Sequence, residues 1–201
     1  MADPVIVAVD AMGGDNAPDV VLEGVALALS QREDLEVILC GNAEVVEPFC
    51  AQQERAHAQV TTEVIAMAEH PAAAVRSKKD SSLVVGCRLV KEGKAHGFFS
   101  AGSTGACLAA GTLVMGRIKG VSRPCLATVI PSPVRPVVMC DVGANADCKP
   151  EYLVQFAQMA TVYAEKVVGM ENPQAALLNI GEEPEKGSVF AQEAHKLMAE
   201  R

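Results

Sequence analysis

The sequence predicts an α/β protein with a mostly parallel sheet and helices on both faces, and three observations carry that prediction. Apolar runs of strand length alternate along the chain with stretches of helical spacing. Half of the 201 residues are hydrophobic but only 3% are aromatic, so the core is built from Ala, Val, Leu, Ile and Met, a mix that suits buried parallel strands. Glycine-rich segments at 10–15, 100–105, 141–145 and 179–187 each follow such a run, where ligands collect in sheets of this kind.

The first strand is Val5 to Asp10, followed by a glycine turn and a helix from about Pro18 to Ser30, with Val21, Leu22, Val25 and Leu29 on one face. A strand from Leu35 to Cys40 ends at Gly41-Asn42, and a helix is expected over Ala43 to Arg55, closing a β-α-β unit. Residues 59–66 read as a short strand. Pro71 disfavours helix at His70, and a loop carrying Arg76, Lys78 and Lys79 is expected next. Ser81-Ser82 caps a helix reaching Lys91, Gly97-Phe98-Phe99 is a short strand, and Gly102 to Gly105 opens a small-residue helix reaching about Met115. Pro124, Pro131, Pro133 and Pro136 punctuate two apolar runs, 125–130 and 137–140, which read as strands joined by a stiff turn. A helix from Glu151 to Val168, a strand from Ala175 to Ile180 and a helix from Ser188 complete the chain. Without an internal repeat or linker, the expectation is one α/β domain over 1–201, an incomplete part of a longer chain.

A net charge of −8 argues against a nucleic-acid surface, which needs clustered Lys and Arg. The N-terminus lacks the pattern of a secretory signal, and no run of about 18 apolar residues suggests a membrane span. Seven scattered cysteines without a C-x-x-C pair read as reduced core thiols of a cytoplasmic protein.

Ser100-Ala101-Gly102-Ser103-Thr104-Gly105 offers glycine amides, hydroxyls and a helix start, a combination that suits a phosphate or an acyl oxyanion and equally a capped strand-to-helix turn. It lacks both the Walker spacing and the dinucleotide G-x-G-x-x-G. Asp10, Gly13, Gly14 and Asp15 put two carboxylates around a double-glycine turn, able to orient a lysine or hydroxyl or simply to cap the next helix; they lack metal-ligand spacing, and no metal is expected. Asp141 and Asn145 flank Gly143 in a further turn, where the Asn145 amide can meet a phosphate oxygen or a thioester carbonyl. In Asn179-Ile180-Gly181-Glu182-Glu183-Pro184-Glu185-Lys186-Gly187, the Lys186 ammonium can stabilise developing negative charge, or the segment is a solvated charge run. None of the four histidines stands at triad spacing from a serine or cysteine.

Taken in order, these four segments, with Ala106 after the second and Gln155-Phe156-Ala157 after the third, resemble the PlsX family of phosphate acyltransferases across essentially the whole chain. Ser103 departs from the family pattern, which more often has Asn there. The resemblance implies a fold similar to isocitrate and isopropylmalate dehydrogenases and phosphotransacetylases, and a homodimer. It implies transfer of a fatty acyl group from acyl-[acyl-carrier-protein] to inorganic phosphate, without a cofactor, giving acyl phosphate for glycerol-3-phosphate acylation by a membrane acyltransferase. A cytoplasmic protein, peripheral at the inner face of the membrane, follows from that role. In this reading Lys186, Asn145 and Asn179 are catalytic. Asp10, Gly13, Gly14, Asp15, Ser100, Gly102, Ser103, Thr104, Gly105, Asp141, Glu182 and Glu183 bind phosphate or substrate. The alternatives are a phosphotransacetylase-like enzyme acting on acyl-coenzyme A and a noncatalytic phosphate- or acyl-binding module. A nicotinamide dehydrogenase is disfavoured by the missing dinucleotide fingerprint.

Overall fold

A computed structural model describes residues 3–145, 147–183 and 185–200. The chain divides into two compact units, residues 1–117 and 118–201, each taken by itself below.

The first unit is built on four parallel strands: β1 (Val5–Asp10), β2 (Leu35–Gly41), β3 (Ala56–Val60) and β4 (Gly97–Phe99), in the order β3-β2-β1-β4. Strand alternation sorts its side chains into two cores. Val9, Val37 and Leu39 pack with Val21, Val25 and Leu29 of α1 (Asp19–Gln31) and Val46 of α2 (Ala43–Cys50) on one face. Ala8 and Cys40 pack with Val85 and Leu89 of α4 (Ser82–Lys91) on the other. The parallel sheet with helices on both faces is therefore present as the sequence predicts. Burying a side chain such as Leu39, 0% exposed, contributes about 1.5–3 kcal/mol.

Three boundaries differ from the sequence reading. The helix expected to reach Arg55 stops at Cys50, because the Arg55 guanidinium is drawn onto the carbonyls of Leu29, Arg32 and Leu35 and its own carbonyl accepts from Val37 N. That commitment starts β3 at Ala56, earlier than the expected 59–66. The expected loop after His70 is largely α3 (Pro71–Ser77): proline does hold His70 extended, but it sits at the first turn, where its missing N–H costs nothing. Lys78, just past α3, donates to Val64 O at 2.7 Å and Glu69 Oε1 at 2.6 Å, and this ammonium holds the Glu69 carboxyl below its usual range. Beyond β4, α5 (Thr104–Ala110) continues as one π-helical turn, Gly111–Met115, so the expected helix to Met115 is one continuous helical stretch.

In the second unit β5 (Ala127–Ile130) and β6 (Val137–Cys140) form an antiparallel hairpin across the proline turn. Two helices, α6 (Pro150–Lys166) and α7 (Val189–Ala199), pack with each other, burying Val154, Phe156, Ala164 and Ala194. The strand expected at 175–180 is absent from the described residues. Its backbone finds no neighbouring strand to complete a ladder there, and Leu178 and Ile180 stand 83% and 86% exposed.

Candidate active site

β1 has β2 on one side, while β4, reached much later in the chain, takes the other. The strand order reverses here, and the crevice outside the carboxyl ends of β1 and β4 is the place such sheets reserve for ligands. Both glycine-rich segments of this unit meet there. Asp10, 2% exposed, ends β1, and its Oδ1 accepts the Met12 N–H at 3.1 Å. Ser100, just past β4, donates its hydroxyl to Asp10 Oδ2 at 2.8 Å and accepts the Gly102 N–H at 3.0 Å. One carboxylate and one hydroxyl thus lock two turns that lie 90 residues apart in sequence.

The glycines make that lock possible. A Cβ on Gly13 would strike the Asp10 carboxylate and lie 2.8 Å from Ser100 Oγ, and a Cβ on Gly102 would lie 3.2 Å from the Gly13 backbone. Gly14 adopts φ +119°, a conformation that side chains disfavour. Gly105 instead serves helix packing, since its Cα faces Pro71 of α3 too closely for a side chain. Ser103 caps α5 by accepting the Ala106 N–H at 3.4 Å, which leaves its hydroxyl proton available to a ligand. Among the described residues, the N–H groups of Gly13, Gly14, Ser103, Thr104 and Gly105 have no hydrogen-bond acceptor. Asp15 is exposed beside them.

Two features of this unit are not visible in sequence, the buried thiols near Asp10 and a buried hydroxyl after β3. Cys107 on α5 is one such thiol: burial pushes it up, with the Asp10 charge adding to the effect. Cys40 and Cys87 are pushed up to about 12 by burial first, with Asp10 again contributing. At all three thiols burial favours the protonated form. Thr61, which follows β3 and is 2% exposed, has a buried hydroxyl without a partner among the described residues.

In the second unit Asp141 and Asn145 form a closed turn after β6. Asp141 Oδ1 accepts Leu126 N–H at 2.7 Å, and Oδ2 accepts Asn145 N–H at 2.8 Å and Asn145 Nδ2 at 3.1 Å. Asn145 Nδ2 also donates to Pro124 O at 3.0 Å, leaving the side-chain oxygen as the group not committed to the turn. Gln155 pins a neighbouring turn by accepting from Ser122 N and donating to Gly120 O, while Phe156 is 1% exposed in the core. Asn179, Glu182, Glu183 and Lys186 line an open groove of about 1100 Å3 against α6 and α7, with Ala157, Leu177 and Met198 among its apolar walls. Asn179 Nδ2 donates to Lys186 O at 3.1 Å. The Lys186 ammonium has no ion-pair partner among the described residues. Pro184 lies outside the described residues.

A crevice at the strand-order reversal of a parallel sheet, lined by glycine turns, places the chain in the class of open α/β folds that bind ligands at such a crevice. The fold is similar to that of the EutD phosphotransacetylase from Staphylococcus aureus, with a TM-score of 0.68 over 98% of this chain and 64% of that one at 20% identity. The model of the family described as fatty acid synthesis protein matches residues 5–201. The chain is 51% identical over 195 residues to the phosphate acyltransferase of Desulfitobacterium hafniense, and 46% identical over 196 residues to that of Caldicellulosiruptor bescii. It belongs to this family, the PlsX family that the four segments suggested. Each alignment takes in 96% of the chain but only 58% and 59% of the respective relative, so the chain spans a little under three fifths of their length.

Proposed function

We propose that the protein bearing this chain transfers a fatty acyl group from acyl-[acyl-carrier-protein] to inorganic phosphate, making acyl phosphate for bacterial phospholipid synthesis. The observation that carries the reading is the pair of glycine turns locked by Asp10 and Ser100, which leaves five backbone N–H groups without acceptors at the mouth of a parallel sheet. Unsatisfied amides together with the Ser103 and Thr104 hydroxyls suit a tetrahedral oxyanion. Ser100 is spent on both turns and acts as a positioning residue, as does Asp10. The phosphate ligands are the amides of Gly13, Gly14 and Gly105 with the hydroxyls of Ser103 and Thr104.

A phosphate oxygen attacks the thioester carbonyl carbon, forming a C–O bond and a tetrahedral oxyanion. Collapse breaks the C–S bond and releases the carrier thiolate, which takes up a proton. Holding two reactants in register supplies much of the acceleration, and no covalent enzyme intermediate is needed. Lys186 is assigned the stabilisation of phosphate or oxyanion charge, Asn145 and Asn179 the orientation of substrate, and Asp141, Glu182 and Glu183 the shaping of their turns. Asp15 shapes the first turn. The working protein is proposed to be a homodimer, peripheral at the inner face of the membrane, its product passing to a membrane glycerol-3-phosphate acyltransferase.

The test is phosphate-dependent cleavage of acyl thioesters by the intact protein, with carrier-protein and coenzyme A donors compared. Lys186→Ala is expected to lower kcat/KM by about 100-fold, as for loss of one oxyanion-stabilising group. Near-normal turnover removes Lys186 from the mechanism. Binding of phosphate without any thioester cleavage leaves the noncatalytic module, and a preference for the coenzyme A donor leaves the phosphotransacetylase-like enzyme.

A further inference from the structure

The sequence is acidic overall, yet the first unit holds a groove of about 770 Å3 in which cations outnumber carboxylates four to one. Arg76 from α3 and Lys79 just after it line the groove together with Arg88 and Lys91 of α4. Arg88 donates to Lys79 O at 2.6 Å. Leu113 of the π-helical turn, 47% exposed, contributes apolar surface to the groove. The single carboxylate, Glu92, is occupied by Lys94 at 2.8 Å. Arg76, Lys79 and Lys91 have no ion-pair partner among the described residues. None of the phosphate-site residues lines this groove, so the proposed catalysis does not account for it.

We infer that this groove docks an acidic protein surface, and that its occupant is the carrier protein presenting the acyl thioester; the identity of the occupant rests on the function proposed above. Four cations from α3, α4 and the turn between them, set among Val75, Val84, Leu113 and Val114, complement an element that is acidic on its flanks and apolar along its crest, such as a helix. Free phosphate engages one or two such cations at a time, whereas the groove gathers four. The groove also lies at a useful distance. The helical stretch that begins at Thr104, beside the glycine turns, ends beside the groove at Leu113 and Val114, a rise of about 15 Å. A carrier seated there has its thioester within reach of the turns through an extended arm.

The experiment compares the intact protein with its Arg76→Glu/Lys91→Glu variant and with the charge-keeping Arg76→Lys/Lys91→Arg variant, after thermal melts show that all three fold. Fluorescence anisotropy with labelled acyl-[acyl-carrier-protein] reads binding, and turnover is measured separately with an acyl-coenzyme A donor. The charge-reversed protein is expected to bind the carrier about tenfold or more weakly, the charge-keeping variant within about twofold of the parent, and raised salt to weaken the parent's binding. Turnover of the coenzyme A donor and the KM for inorganic phosphate stay unchanged. Carrier binding by the charge-reversed protein within about twofold of the parent overturns the inference. It is equally overturned if the reversal abolishes sedimentation with phosphatidylglycerol vesicles while carrier binding persists. Carrier binding through the groove without acyl transfer to phosphate from either donor supports the docking site and refutes the proposed reaction.

Discussion

Replacing Ser100 with Ala removes one oxygen and two hydrogen bonds, the 2.8 Å bond to Asp10 Oδ2 and the 3.0 Å bond from Gly102 N–H. Asp10 is 2% exposed, so its Oδ2 has little access to replacement water. A hydrogen bond to a charged group contributes about 1.5–3 kcal/mol, and the freed amide adds less because it is only partly buried, which puts the expected loss at about 2–3 kcal/mol. For a chain of this size that corresponds to a fall in Tm of about 5–10 °C. Urea unfolding of the parent, Ser100→Ala, Asp10→Asn and the double variant forms a cycle that isolates the pair. A coupling energy of about 1–2 kcal/mol is expected, with faster hydrogen exchange at the Gly102 amide in both variants lacking Ser100. Additivity within about 0.5 kcal/mol, with Gly102 exchange unchanged, refutes the claim that this bond locks the turns.

Other consequences are open to measurement. Gly13→Ala drives a methyl group into the Asp10 carboxylate and to 2.8 Å from Ser100 Oγ, and is expected to destabilise by about 1–3 kcal/mol and to weaken phosphate binding, read by urea melts and calorimetry. Phe156→Ala empties a core position that is 1% exposed and should cost about 3–5 kcal/mol in the same melts. Cys40 and Cys87, ordinarily at 9.0, are pushed up to about 12 in the folded chain, so the unfolded state loses these protons first as pH rises. Their contribution to stability is therefore complete below pH 9 and declines from pH 9 towards 12, by up to about 1.4 kcal/mol per pH unit for each thiol. A urea midpoint that is flat between pH 8 and pH 10.5 contradicts it, as does rapid alkylation of either thiol at pH 8 in the folded protein.

Legibility from sequence followed how local each determinant was. The run Val5–Asp10 and the stripe Val21, Val25, Leu29 declare their structure within a few residues, and both stand where the pattern put them. Pro71 obeys both sides of one rule, disfavouring helix at the residue before it and opening a helix at its own position, so α3 begins where a loop was expected. Arg55 could not be placed because what ends its helix is a set of carbonyls twenty or more residues away. Ala175–Ile180 has the composition of a strand, but a strand is defined by a neighbour, which composition does not supply. At the site, the glycine turns were visible as motifs, whereas the bond between Asp10 and Ser100 depends on β4 choosing the far side of β1. The thiols of Cys40, Cys87 and Cys107 join Asp10 through that same tertiary choice, so nothing in their spacing marked them.

That choice also bears on when the crevice comes into being. The Asp10–Ser100 bond closes a loop of 90 residues, whose entropy alone opposes closure by about 4 kcal/mol on the logarithmic law. It is held shut by β4, a strand of three residues at the margin of the sheet. β1 pairs with β2 across six positions but with β4 across only three, so β1 and β2 can associate before the crevice exists, and the crevice is lost first when β4 peels away. Occupancy by an anion that bridges both turns would act as a clasp on the least secured strand. Ligand affinity and the residence of β4 on the sheet are then one coupled equilibrium, each strengthening the other.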